Sequence, residues 1–319
     1  MTAAAPAART AVAVAGRTGR PPRRAASRTL WIWVFLVATI VLFGAYTVWP
    51  AIASVGYSFL GWSGYGPDRP FVGLANYERA FSDPLFWRSV GVTLLIIVVT
   101  VPLRVLLALV LAVFLNDPRL PFARLLRTAF FVPVVATTAI IGIVMNFVLD
   151  PADGPVNQVL GALGIQPVDF LGDSSAALWS VMAVHFWKWL GLTLVYWLAA
   201  LQTVPDEVHE AARVDGANAR QRFWHVTVPM LTPFLVVISL LTIVETMQIF
   251  DLVQTMTGGG PYFATLVTEV YIYQQAFETA RPEYGYASAI GVLLGVLTLL
   301  VVGTAALVSR LAARKGADR

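Results

Sequence analysis

The chain has 319 residues, 58% of them hydrophobic and 13% charged, and its mean hydropathy of +0.72 is one that soluble globular domains rarely reach, so it reads as a polytopic membrane protein. The absence of cysteine excludes a disulfide framework, a thiol nucleophile and a Cys-based metal site, and the three histidines, His185, His209 and His225, have no ligand spacing, so no metal is expected. The net charge of +4 could suggest nucleic acid, but the basic residues sort by membrane side and form no single basic face, which argues against it.

Residues 1–29 carry Arg9, Arg17, Arg20, Arg23, Arg24 and Arg28 among Ala and Pro, with no acidic residue, and are expected to be a disordered basic cytoplasmic arm. Residues 30–49 are apolar over about the length a bilayer requires. Ala51-Ile52-Ala53 resembles a signal-cleavage site, but the run is longer than a signal hydrophobic region and is taken as a retained first span. Gly61, Gly64, Gly66, Pro67 and Pro70 then mark turns in an ordered external loop over residues 50–88. The second span, 90–115, contains Pro102 and Arg104. A short basic loop leads to the third span, 129–149, and a loop without Lys or Arg leads to the fourth, 176–198. Trp31, Trp33, Trp49 and Trp62 suit interfacial anchors, whereas Trp179 and Trp197 suit either an anchor or a ligand contact.

Residues 204–229 are the one long polar insertion that still reads as ordered. Pro205 suits a first helical position, and Asp206 and Glu207 place negative charge at the positive end of the helix dipole. This short helix is expected to stop near Gly216, where a left-handed conformation ends helices. Asn218 can cap a second helix reaching Trp224, which Pro229 ends before the fifth span, 231–250, begins. The sixth span is 287–308, giving a transmembrane domain over 30–310 and a short cytoplasmic tail, 311–319. Lys and Arg concentrate in the arm, the loop before the third span, the 204–229 knob and the tail, leaving Arg69, Arg79, Arg88 and Arg281 on the other side. Cytoplasmic loops keep the positive charges, so both termini and the knob are expected in the cytoplasm.

Glu210-Ala211-Ala212, Asp215-Gly216-Ala217, Phe223 and Val226-Thr227-Val228-Pro229 resemble the E-A-A…D-G-A…F…I-x-L-P loop of ABC importer permeases, in the form of the carbohydrate-uptake branch. Val226 and Val228 replace the usual Ile and Leu, a mild change among apolar residues. Further weak matches occur in the family's order: Phe71 to Tyr77, Arg127 to Pro133, Trp187-Lys188-Trp189, Phe250-Asp251 with Thr257 to Pro261, and Tyr284 to Ala289. Arg104 departs from the pattern, which has a small or apolar residue there. The resemblance implies an all-α, six-span permease subunit with a cytoplasmic coupling-helix loop, in a bacterial cytoplasmic membrane. It implies a homologous permease as heterodimer partner, two ABC ATPase subunits that hold the ATP and Mg, and an extracytoplasmic solute-binding protein that delivers a sugar. Glu210, Ala211, Ala212, Asp215, Gly216, Ala217 and Pro229 would form the coupling surface.

No Walker loop or other catalytic set is present, so the chain is not expected to be an enzyme or to bind a cofactor itself. The solute path should be marked by intramembrane polar residues, which are costly in hydrocarbon. Thr242, Glu245 and Thr246 share one helical face, Gln248 lies three residues beyond Glu245, and His185, Lys188 and Trp189 share another face. Thr138, His185, Lys188, Trp189, Thr242, Glu245 and Thr246 resemble positions in the substrate-contacting segments of maltose-type permeases, and Gln248 is a further candidate on the path. The plainer alternative is that Lys188 pairs with Glu245 to hold the bundle and the threonines bond their own helices. A polyol or glycerol phosphate could replace sugar in the same architecture. An ion-driven carrier using Glu245 and Lys188 as a relay would leave the knob unexplained.

Overall fold

A chain crossing hydrocarbon must satisfy its backbone within each segment, and helices do so locally. The computed structural model describes residues 24–117 and 119–317; the expected arm lies outside them as far as residue 23. Among the described residues there is no strand, only an isolated antiparallel bridge between Leu60 and Phe71. The chain divides into two units, 1–53 and 54–319.

In the first unit, helix α1 (Arg24–Phe43) starts six residues before the expected span and passes through a π-helical turn, Gly44–Val48, into α2 (Trp49–Tyr57). From residue 31 to 53 no side chain is buried: Trp31, Phe35 and Tyr46 are 61%, 68% and 79% exposed. A helix apolar on every side suits lipid contact.

The second unit contains α3 (Ala75–Ser82), α4 (Pro84–Leu115), α5 (Ala123–Val135), α6 (Thr138–Val148), α7 (Pro155–Ala162), α8 (Ser174–Leu201), α9 (Asp206–Val214), α10 (Ala219–Arg222), α11 (Val228–Met247), α12 (Phe250–Met256), α13 (Thr268–Tyr273) and α14 (Tyr284–Ala317). Helix α4 packs on α8 and α11, α5 lies along α8, and α14 packs on α11. One apolar core gathers Ile96, Val181, Val184, Leu252, Leu266 and Ile290; a second gathers Val101, Val105, Leu194, Trp197, Leu231 and Ile243. Trp197 is a core residue whose indole N–H donates to Val105 O at 2.9 Å. On α8 the polar residues His185 and Lys188 fall between the two cores.

Two of the expected spans are broken. Among the described residues five helices are each long and apolar enough to cross a membrane, and the third span is instead the pair α5 and α6, bent by 98° at Ala136-Thr137. The fifth span ends at Met247, Gln248 leaves helical geometry, and α12 restarts at Phe250. The halves beyond the breaks pack together. Gly142 leaves room for Thr255, and Asn146 Nδ2 donates to Thr255 O at 2.8 Å.

Pro229 does not end a helix, contrary to expectation. Residues 219–247 form one continuous helix in which a π-helical turn, Phe223–Thr227, precedes the proline. Val228 N–H bonds Phe223 O five residues back, so the wider turn receives the residue that cannot donate. The first unit uses the same device: Trp49 N–H bonds Gly44 O, and Pro50 follows. The last helix likewise runs to Ala317, through the segment expected to be a tail.

Candidate functional site

The 204–229 knob is built by its caps. Pro205 is the N-cap of α9 and Asp206 its first residue, one place later than expected. At the other end Ala217 N–H bonds Ala212 O at 2.9 Å and Gly216 N–H bonds Arg213 O at 3.0 Å, a Schellman closure that requires the positive φ of Gly216, +78°. Asn218 then starts α10 with a capping box: its side chain accepts from Gln221 N–H at 2.9 Å, and Gln221 Oε1 accepts from Asn218 N–H at 2.8 Å. Glu210, Ala211, Asp215 and Gly216 are exposed, Ala212 and Ala217 half-buried, and Pro229 exposed just beyond the π-helical turn. Val214 is 89% exposed and Trp224 57%. The knob thus presents small, apolar and acidic groups together on its surface.

The second group lies in the span interior. Arg104 of α4, 1% exposed, donates through Nη2 to Glu245 Oε2 of α11 in a close ion pair, with Thr242 O at 3.3 Å and Thr246 Oγ1 at 3.4 Å. Arg104 Nη1 lies 3.5 Å from His185 Nε2 of α8. The same nitrogen lies 3.4 Å from Thr246 Oγ1. The sequence-derived face of Thr242, Glu245 and Thr246 is therefore one structural unit with His185. Both threonines also bond their own helix, to Ile238 O at 2.7 Å and Thr242 O at 2.8 Å.

The alternative pairing of Lys188 with Glu245 is replaced by a different partnership for each. Lys188 Nζ donates to Ala136 O at 2.9 Å and Pro133 O at 3.5 Å, and lies 4.4 Å from the Trp189 ring centroid. Those carbonyls are left over where α5 breaks. A cation there satisfies orphan acceptors at the negative end of a helix dipole. Arg127 does the same for α4, donating to Leu115 O. Thr138 opens α6 across that break and is half-buried.

Glu245 reaches an open groove between α8 and α11 of about 540 Å³, lined by Trp189, Leu192, Tyr196, Val237, Leu241 and Gln248 among others. A narrow crevice of about 20 Å³ continues from its side toward Arg104, Thr193 and Thr242. The groove offers a carboxylate, an amide and two aromatic rings on an apolar wall. Gln248 also lines a neighbouring cavity of about 270 Å³ with Glu269, Gly291 and Thr298. Glu269 was missed by sequence reasoning. It accepts Phe250 N–H at 2.9 Å and so caps the restarted helix α12, the anionic counterpart of Lys188 at the other break. Nothing local distinguished it from Asp251, Glu278 and Glu283 in the same stretch between two spans.

Among the described residues no group of three or more His, Cys, Asp or Glu is placed to hold a metal ion.

Comparison with known proteins bears on both surfaces. Residues 79–314 match the family of binding-protein-dependent transport system inner membrane components. The chain is 34% identical over 270 residues to a probable ABC transporter permease protein, YurN, of Bacillus subtilis, covering 84% of this chain and 91% of that protein. It is 32% identical over 273 residues to the lactose transport system permease protein LacF of Rhizobium radiobacter, covering 84% and 90%. The crystal structure of a bacterial ABC transporter involved in import of the acidic polysaccharide alginate has a chain that superposes with a TM-score of 0.73, covering 90% of this chain and 97% of that one. At 24% identity this likeness concerns the fold.

Proposed function

Because the chain belongs to the family of binding-protein-dependent transport system inner membrane components, we propose that it is the multi-pass permease subunit of an ATP-driven importer that carries a sugar. The observation that carries the substrate class is the groove between α8 and α11. Sugars are held by directed hydrogen bonds to hydroxyls and by stacking of aromatic rings on their apolar faces. Glu245, oriented by Arg104, supplies the hydrogen bonds with Gln248, and Trp189 and Tyr196 supply ring surface. Arg104 and His185 position the carboxylate. Lys188 fixes the bend of the third span. Thr138 stands at the far side of that bend.

Coupling follows from one helix. The segment from Ala219 to Met247 is continuous, about 43 Å long at 1.5 Å per residue, and joins the knob to Thr242, Glu245 and Thr246. Closure of two ATPase subunits on cytoplasmic knobs would displace one end of this rod, and the carboxylate near the other end moves with it. The ATP and Mg belong to those subunits. The distribution of Lys and Arg supports cytoplasmic termini in a bacterial cytoplasmic membrane. A homologous permease covers the groove, and an extracytoplasmic binding protein delivers the solute.

The test is ATP hydrolysis by the complex reconstituted with its co-expressed partners and binding protein, across a panel of sugars and polyols. Stimulation by a sugar supports the reading. Uptake that follows an ion gradient, with no ATPase in the purified complex, would overturn it.

A further inference from the structure

The side of the membrane opposite the knob is poor in cations: outside the spans it holds only Arg69, Arg79, Arg88 and Arg281. Three of these four gather around one pocket. Leu60 to Ser63, Asn76 and Arg79 of α3, and Arg281 to Glu283 with Tyr286 at the start of α14 enclose about 270 Å³. Arg69 lies over the Trp62 ring, its Cζ 4.2 Å from the centroid. Arg79 lies over Tyr286 at 4.1 Å and pairs with Glu283 at 2.6 Å, yet remains half exposed. Arg281 is exposed and has no ion-pair or hydrogen-bond partner for its guanidinium among the described residues. Glu283 is the only acidic residue in the lining, so the pocket carries an excess of positive charge in a region otherwise cleared of it.

The pocket is preformed. Gly285 N–H donates to Trp62 O at 3.0 Å, Asn76 Nδ2 to Leu60 O at 3.0 Å and Ser58 O at 2.8 Å, and Gly61 N–H to Pro70 O at 2.9 Å. Tyr286, in its wall, donates to Asp83 at 2.7 Å, and Asp83 is the N-cap of α4. A load on the pocket therefore reaches the ends of two spans. In the adjoining loop Tyr65, Phe71 and Leu74 are 72%, 76% and 60% exposed. Exposed aromatic and apolar groups beside accessible arginines are the composition of a protein-binding surface.

We propose that this arginine-rimmed pocket is a socket in which the sugar-loaded binding protein seats an aspartate or glutamate side chain, with Arg79 and Arg281 as its partners. The proposal rests on the importer reading and on the orientation that goes with it. Arginine suits the task because its planar fork meets a carboxylate with two parallel hydrogen bonds. Charge of one sign at a docking point also raises the encounter rate, which makes the contact sensitive to salt.

The experiment uses the whole complex in neutral-lipid nanodiscs and, as probe, the binding protein that stimulates its ATPase. Arg281→Glu should raise the half-saturating concentration of that protein tenfold or more at low salt, leaving maximal hydrolysis unchanged, while Arg281→Lys stays within about threefold of wild type. An unchanged half-saturation with Arg281→Glu would overturn the socket while leaving the importer intact. The 319-residue sequence has no cysteine, so Arg281→Cys gives this chain one site for a membrane-impermeant maleimide, read on its own band. The binding protein should slow this labelling at least fivefold. Slowing by anionic lipid alone, or by free sugar alone, would assign the pocket to that occupant and refute the proposal. In intact cells Arg281→Cys should react and Val214→Cys should not. The reverse pattern, or an ATPase that no binding protein stimulates, would sink the importer reading and the socket with it.

Discussion

A cation in the interior of a span is costly unless it is paired. Arg104 meets Glu245, the Thr242 carbonyl, the Thr246 hydroxyl and the His185 ring, and Lys188 meets two helix-end carbonyls and an indole face. Removing one member of a buried pair leaves the other charge without compensation and costs about 3–5 kcal/mol, whereas replacing both by apolar groups is often neutral. Glu245→Ala and Arg104→Ala are each expected to lower the melting temperature of the detergent-solubilised complex, and Arg104→Leu with Glu245→Leu to recover most of the loss. That double variant should still fail to hydrolyse ATP in response to sugar. If it transports normally, the pair is structural and the groove is not the sugar site. On the opposite side, Asp83 accepts from the Tyr271 and Tyr286 hydroxyls and from Leu85 N–H. Burial by itself would raise its pKa, but these hydrogen bonds, with that of Phe86 N–H, outweigh burial and hold it below the ordinary carboxylate value. The folded value is the lower one, so Asp83 stabilises the fold above the unfolded pKa, about 3.9, and this is lost as pH falls through the folded value. The difference in melting temperature between wild type and Asp83→Asn should be full at pH 6 and shrink toward pH 3. A constant difference would show that the charge contributes nothing.

At the scale of elements, the two broken spans share one solution. Each break frees helix-end groups, and each is answered by a charge of the right sign from a distant helix: Lys188 at the carbonyl end of α5, Glu269 at the amide end of α12. The breaks were not legible because no glycine or proline stands at Val135-Ala136-Thr137-Thr138 or at Met247-Gln248-Ile249, and the groups that permit them lie elsewhere in the chain. The knob was legible because caps are local: Asn218 with Gln221, and Gly216 with its positive φ, act within a few residues. Pro229 misled because a proline usually ends a helix, and only the hydrogen-bond pattern reveals the wide turn that accommodates it. Glu210 is exposed and has no part in that capping, so Glu210→Lys should leave the complex in the membrane and abolish sugar-stimulated ATP hydrolysis. Retained coupling would remove the knob from the mechanism. Asn218→Ala serves as the contrast, since loss of an N-cap costs about 1 kcal/mol and should weaken coupling in proportion to local unfolding.

For the whole molecule, the exposed apolar surface bears on the proposed assembly. Val237 and Leu241, in the groove wall, are 54% and 47% exposed. In the proposed importer with two permeases this wall would face the partner subunit. Leu241→Cys should form a cross-link to the homologous permease that Leu103→Cys, an exposed residue of α4, does not. Cross-linking to itself alone would replace the heterodimer by a homodimer.

The sequence by itself determined the membrane class, the order of the apolar spans, the polar knob and the shared face of Thr242, Glu245 and Thr246, because hydropathy, helical spacing and capping depend only on near neighbours in the chain. Tertiary structure decided the partner of Arg104, the task of Lys188, the bend at Ala136-Thr137, the role of Glu269 and the arginine pocket. Arg104 and Glu245 are 141 residues apart, and Lys188 lies 52 from the carbonyl it caps. Such pairs are selected by which charge each buried group can reach once the helices have packed, and that choice has no periodic trace in the sequence.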